Sequence, residues 1–200
     1  MAERTDAREK LLDAVLDRLT GAGLGDLSLR SLAAAVGTSH RMLIYHFGSK
    51  EGLLIEVVRA LEARQRAALA DLVAEMDADP SATPADAVRR FWQRLADPVL
   101  WPAERLFFEL YGQALQGRPG TTPFLDGIVD SWVAPMTALV VRFGGAPESA
   151  AADARLGVAV SRGLLLDLLA TGDRAAVDAA MERFLAGYFQ WTGAPGRSTH

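Results

Sequence analysis

The sequence predicts an all-α protein of about nine helices, a three-helix unit at the N-terminus followed by a larger helical body. Three observations carry that prediction. Apolar residues recur at i, i+3, i+4 and i+7 almost throughout, and no convincing period-two strand is found. The gaps between these stripes hold Gly, Pro, Ser or Thr where helix ends need them. The chain has 200 residues, half of them hydrophobic and 23% charged, which is long and apolar enough to bury a core.

Leu11, Leu12, Val15, Leu16 and Leu19 form the first stripe, opened by Asp6 with Glu9 three residues on and closed by Gly21 and Gly23. Ser28 is placed to cap a second helix, Leu29–Val36, which Gly37 ends by adopting a left-handed conformation. Thr38 or Ser39 caps a third, short helix that runs to about Phe47. Gly48 stops it, and Ser49 caps a long fourth helix reaching Met76. Residues 77–83 (DADPSAT) are a loop, and Pro84 suits the first turn of the next helix. Pro98 and Pro102 bracket a break before a helix over Ala103–Gln116, and Gly117–Pro123 is another loop. Phe124–Phe143 has helical periodicity, with a kink or break expected at Pro135. Gly144, Gly145 and Pro147 separate it from a helix over about Glu148–Ala170. Thr171–Asp173 turns into the last helix, to about Trp191, and the tail GAPGRSTH is expected to fray. No internal repeat is found.

Composition excludes several classes of function. Cys is absent, which removes disulfides, thiolate nucleophiles and zinc sites built on Cys. No Gly-rich phosphate loop, Gly-x-Ser-x-Gly elbow or cluster of His with carboxylates is present, so an enzyme is not expected. No apolar run reaches the roughly 18 residues needed to span a bilayer; the longest candidates are Trp132–Val141 and Gly163–Ala170. The N-terminus is charged with no apolar region after it, so no secretory signal is expected and a cytoplasmic location is the default. The net charge of −4 argues at first against a nucleic-acid partner. Yet residues 1–66 hold ten basic and nine acidic residues, a net of +1, and the remaining 134 carry a net of −5. Thirteen of the fifteen aromatic residues also lie beyond residue 66, the exceptions being Tyr45 and Phe47.

The first 55 residues carry the informative constellation. Three short helices with a Gly turn between the second and third form the pattern of a helix-turn-helix unit, whose third helix enters a major groove. Such a helix needs an apolar inner edge and an outer face of hydrogen-bond donors. With Leu43 and Phe47 as the inner edge, steps of about 100° put Thr38, Arg41 and Tyr45 on the opposite side, flanked by Met42 and Ile44. Ser39 and His40 stand at the helix N-terminus, where base edges are normally reached. Arg41 suits a bidentate contact with guanine, and Tyr45 and Lys50 suit phosphates. His46 lies near the inner edge, either as a packed histidine or as a phosphate contact. His40 and His46 form no metal pair, because six residues turn a helix by about 240° and point the rings apart.

These residues resemble a known family. Ser28-Leu-Arg-Ser-Leu-Ala-Ala-Ala-Val-Gly37 followed by Leu43-Ile-Tyr-His-Phe-Gly-Ser-Lys-Glu-Gly-Leu-Leu54 is similar to the N-terminal domain of the tetracycline-repressor (TetR) family, over roughly residues 6–55. The resemblance implies a homodimeric transcriptional regulator, usually a repressor that releases a near-palindromic operator when a small ligand binds its C-terminal domain. It divides the chain into a DNA-binding domain, 1–55, and a ligand-binding and dimerisation domain, 56–200, joined by the fourth helix from about residue 49. The candidate DNA-contacting residues are Ser28, Arg30, Thr38, Ser39, His40, Arg41, Met42, Tyr45, His46 and Lys50. Two positions depart from the family pattern. Many members carry a backbone-contacting Tyr where this chain has Ile44, so either Tyr45 takes that contact or it is lost. Met42 stands in place of a smaller residue, so the bases read here do not carry over.

For the C-terminal part the resemblance implies a helical ligand cavity and a dimer face made by the last two helices. Gly157, Ala159, Gly163, Ala176, Ala179, Ala180 and Gly187 would let those helices approach closely. An effector that is largely apolar or aromatic is expected, with Trp92, Trp101, Arg105, Phe108, Tyr111 and Trp132 as candidate contacts and no cofactor or metal. The alternative is an all-helical small-molecule-binding protein without sequence-specific DNA binding. The effector, the operator sequence, the regulated genes and the sign of regulation are not legible in the sequence.

Overall fold

The computed structural model describes residues 2–22, 28–79 and 83–191. Among these residues it is all-α, with no strand. The helices are α1 (Ala2–Ala22), α2 (Leu29–Ala35), α3 (His40–Phe47), α4 (Lys50–Ala78), α5 (Pro84–Leu95), α6 (Trp101–Leu115), α7 (Asp130–Arg142), α8 (Ala150–Thr171) and α9 (Arg174–Trp191). Short 3-10 turns cover Pro98–Leu100 and Thr122–Leu125. Gly23, residues 80–82 of the expected loop and the tail with His200 lie outside the described residues.

Most ends fall where the sequence places them, with three differences. Helix α1 starts at Ala2 rather than at Asp6, since Ala2–Thr5 contains no residue that stops a helix. Pro102 lies inside α6 as its second residue, where the missing N–H has no intrahelical acceptor to lose. The stretch read as one helix over Phe124–Phe143 breaks at residues 126–129, where Gly127 has φ +71°, and α7 then continues through Pro135. That break also bears on the membrane expectation, which needs correcting. Residues 122–142 are 21 in number and apolar enough by composition to cross a bilayer. The 13-residue α7 is only about 20 Å long, however, against a hydrocarbon core of about 30 Å.

The chain packs into two compact units, each made of two segments. The first comprises Met1–Arg64 and Pro98–Asp126. Here α1 packs on α6 and α2 on α3, around Val15, Leu16, Leu43, Leu53, Leu110 and Phe124, all at most 1% exposed. Each such side chain contributes about 1.5–3 kcal/mol. Phe107, Tyr111 and Phe124 make an aromatic group with ring centroids 5.7–6.1 Å apart. Helix α1 is tied to the first half of α4 by ion pairs, Arg8–Glu56 at 2.8 Å and Arg64–Asp13 at 2.7 Å.

The second unit comprises Gln65–Asp97 and Gly127–His200. Its core includes Leu69 and Val73 of α4, Phe91 and Leu95 of α5, and Trp132 of α7. Helix α7 packs on α8, and α8 on α9. Val177, Met181, Leu185 and Phe189, four residues apart, form the buried stripe of α9. Thr83 caps α5 in a reciprocal box with Asp86, and the Thr83 hydroxyl bond holds the Asp86 carboxyl below its usual range. At the other end of α5, Asp178 accepts from the Trp92 indole N–H at 2.7 Å and from Arg174 at 2.8 Å. Arg174 also donates to the Ala96 carbonyl, so one carboxylate joins α5 to α9. Within the first unit α6 lies on α1, and α4 runs on past Arg64.

Candidate functional site

The helix-turn-helix is built from local chemistry. Ser28 Oγ accepts from Ser31 N–H at 3.1 Å and starts α2. Helix α2 ends in a Schellman motif, in which Thr38 N–H donates to Ala33 O at 2.9 Å and Gly37 N–H to Ala34 O at 3.3 Å. Gly37 holds φ +69° in that motif. Ser39, not Thr38, caps α3, its Oγ accepting from Met42 N–H at 3.2 Å. Ser49 Oγ accepts from Gly52 N–H at 2.9 Å and starts α4. Three serines thus set the beginnings of three successive helices.

The two faces of α3 differ as the spacing predicts. Leu43 is 1% and Phe47 8% exposed, and Arg8 of α1 lies over the Phe47 ring at 5.2 Å. Ser39, His40, Arg41, Met42 and Tyr45 are exposed, Tyr45 by 63%, and Thr38 is half-buried at the turn. Ile44 is half-buried beside Tyr45 and has no hydrogen to donate. His46 is half-buried too, its ring edge-on to Tyr45 at 5.1 Å. Ser28, Arg30 and Lys50 are exposed on neighbouring elements.

Charge is distributed unevenly over this unit. Arg8, Arg59 and Arg64 are neutralised by Glu56, Asp13 and Asp17. Arg30, Arg41 and Lys50 have no carboxylate partner among the described residues. A net of +1 for the first 66 residues therefore understates the positive field at α3, since acidic groups pair off cations elsewhere. An exposed short helix with donors, uncompensated cations and a packed inner edge is suited to a major groove lined by phosphates.

Residues 11–57 match the sequence profile of bacterial regulatory proteins of the tetR family. That match covers 47 of the 200 residues, the helix-turn-helix end of the chain. The chain is 26% identical over 158 residues to the HTH-type transcriptional regulator EthR of Mycolicibacterium smegmatis. That match covers 72% of this chain and 65% of that relative's length. In fold it is similar to a transcriptional regulator of Rhodococcus sp. Rha1, with a TM-score of 0.72 and 20% identity over 96% of this chain and 99% of that one. It is also similar to the multidrug binding protein EbrR complexed with imidazole, with a TM-score of 0.61 and 25% identity over 97% and 93% of the two chains.

The aromatic candidates divide between the two units. Trp101, Arg105, Phe108 and Tyr111 belong to the first, where Arg105 lies over the Trp101 ring at 5.6 Å. Trp92 and Trp132 belong to the second. Trp92 is 4% exposed and its N–H is used by Asp178, which makes it a packing anchor. Trp132 lines a cleft of about 390 Å³ between the second half of α4 and α7. Sequence reasoning missed that cleft. A usable signal was the pairing of small residues, Ala70 and Ala74 on α4 with Ala138 on α7, which leaves space between facing helices. Among the described residues, no three His, Asp or Glu side chains converge so as to hold a metal ion.

Proposed function

We propose that this protein is a ligand-responsive transcriptional regulator, a homodimeric repressor that releases a near-palindromic operator when a small, largely apolar or aromatic molecule binds. The observation that carries the reading is α3: a capped, rigid helix presenting His40, Arg41, Met42 and Tyr45 to solvent with Arg30 and Lys50 nearby in sequence and uncompensated. His40 and Arg41 read base edges; Ser28, Arg30, Tyr45 and Lys50 contact phosphates, and Thr38, Ser39 and His46 position the helix on the backbone. Such work places the protein with the DNA, in the cytoplasm.

Dimerisation is supported by the outer faces of α8 and α9. Leu156, Ala159, Gly163, Leu166 and Ala170 are all exposed and follow one another at steps of three and four, an apolar seam without cover in one protomer. Ala176, Ala179 and Ala180 are exposed on α9. Gly157 faces inward instead, toward the Tyr188 ring, so the small residues serve two contacts rather than one. Two copies of α3 then address half-sites about one helical turn or more apart. The bound imidazole of EbrR, a neighbour of equal fold, supports a ligand-responsive body.

A gel shift against DNA upstream of the protein's own gene tests the reading. Sequence-specific binding that weakens steeply with salt is expected. Arg41→Ala should cost about 1–3 kcal/mol on the specific site and relax base preference, whereas Lys50→Ala weakens all sequences alike. Equal loss on specific and random DNA for Arg41→Ala would refute base reading by that residue.

A further inference from the structure

We propose that the β-turn Arg118–Thr121, which follows α6, is a second contact with the DNA backbone, in which Arg118 takes a phosphate beside the one held by Lys50. The inference rests on the DNA-binding reading above and adds to that surface a residue from far outside the helix-turn-helix. The sequence Arg-Pro-Gly-Thr has Pro at the second and Gly at the third position of a turn, the pattern of type II. Gly120 holds φ +81°, and Thr121 N–H donates to Arg118 O at 3.1 Å to close the turn. The Thr121 hydroxyl, in a residue only 1% exposed, donates to the same carbonyl at 2.9 Å. On the other side α6 ends in a Schellman motif, with Arg118 N–H donating to Gln113 O at 3.1 Å and Gly117 N–H to Ala114 O at 3.0 Å. Both backbone polar groups of Arg118 are thus fixed, while the residue itself is exposed. A residue ordered in advance loses less entropy when it makes a contact.

The turn stands against the start of α4. A Cβ built on Gly120 would lie 3.5 Å from Glu51 Cβ and 3.6 Å from its Cγ, ordinary van der Waals contact. About two helical turns further along α4, Arg59 donates to Pro123 O at 2.6 Å. Lys50 is the neighbour of Glu51 and is exposed at the first position of the helix. Arg118 is two residues from Gly120, so its Cα lies within about 7 Å of that contact. All of these residues belong to the first compact unit, which also carries α3. Charge separates a packing role from a binding one. Arg59 is engaged by the Pro123 carbonyl and Glu56. Arg118 has no carboxylate partner among the described residues, and Glu51 beside its turn forms no ion pair with it. Two uncompensated cations on adjoining segments, just past the end of α3, suit a polyanion whose strands present a phosphate every ~3.4 Å of helix axis. A guanidinium grips phosphate as a two-pronged fork and keeps its charge at any ordinary pH. Such a contact reads no base, so it strengthens binding to all sequences alike.

The test uses the full chain with DNA from upstream of its own gene and a random duplex of equal length. Affinity is followed by fluorescence anisotropy over a salt series for the wild type, Arg118→Gln, Arg118→Lys and Arg118→Glu, with circular dichroism melts to establish that each is folded. Arg118→Gln should weaken both duplexes by about three- to tenfold at low salt and flatten the plot of log affinity against log salt by about one unit per protomer. Arg118→Lys should keep most of the affinity and the slope, and Arg118→Glu should bind more weakly than Arg118→Gln. Neutral methylphosphonates placed singly along the operator then locate the contact. One position should weaken the wild type and leave Arg118→Gln unaffected, and it should differ from the position silenced by Lys50→Ala. Unchanged affinity and slope in Arg118→Gln, lost affinity with an unchanged slope, or an equal loss in Arg118→Lys and Arg118→Gln would overturn the proposal. If the wild type binds DNA and responds to Lys50→Ala but not to Arg118→Gln, this contact fails alone. If the wild type holds neither duplex, the DNA-binding reading fails and the contact with it.

Discussion

At Gly37 the backbone sits at φ +69° with nothing within 4 Å of where a Cβ would stand. Space is therefore not the issue there, and the cost of a side chain is purely conformational. Gly37→Ala should lower stability by about 1–2 kcal/mol, the penalty for an L-residue in the left-handed region. Gly37→Asn should cost less, because Asn tolerates that region. Urea melts of the two variants check this, and equal losses would mean that packing is involved after all. The same residue explains why the turn was legible from sequence alone. Ser28, Gly37, Ser39 and Ser49 act on backbone groups at most five residues away, so each announces its helix end locally. Ser39 rather than Thr38 as the cap of α3 was left open by the sequence, since both hydroxyls fit the spacing.

Helix against helix, the sequence says less, because a partner is chosen by packing across long separations. The α8–α9 contact shows this. Gly157 and Gly163 look equivalent as small residues, yet one accommodates the Tyr188 ring and the other is exposed. Likewise Trp92 and Trp132 look equivalent to Trp101 and Phe108, yet they belong to different units. The apolar run over 122–142 hid a break, since Gly127 and Asp126 interrupt it without disturbing its helical period. Tyr188 offers a test at this scale. Its hydroxyl donates to the Asp153 carbonyl at 2.9 Å, and burial, with the Asp153 charge second, pushes its pKa up to about 12. An unfolded tyrosine ionises near 10. Folding thus favours the neutral form: the stabilisation is complete below about pH 10 and is lost as pH rises toward 12. Urea melts from pH 9 to 11 should show a decline in the wild type that is reduced in Tyr188→Phe. Parallel declines in both proteins would place the titration elsewhere.

For the whole molecule, the acidic balance of −4 conceals an N-terminal unit in which Arg30, Arg41 and Lys50 have no carboxylate partner among the described residues. Leu166 is 51% exposed in the apolar seam of α8. On the proposed dimer, Leu166→Glu should give monomers and weaken binding to the proposed operator strongly while leaving each protomer's melt within about 0.5 kcal/mol, as for a surface change. Sedimentation checks the first effect and gel shift the second, and a dimeric Leu166→Glu protein would remove this seam from the interface. The first compact unit is interleaved in the chain with the second, being closed by Pro98–Asp126 only after thirty-three residues that belong elsewhere (Gln65–Asp97). Domains ordinarily fold in the order in which they leave the ribosome. Here the three-helix end precedes α6 in the chain but cannot finish before it. Its helix α1 waits, with the side that meets α6 bare, until α6 has followed it out. The packed form of this three-helix end is thereby delayed until the chain has been made through about Asp126, so a nascent chain stalled before that carries the three helices without their support.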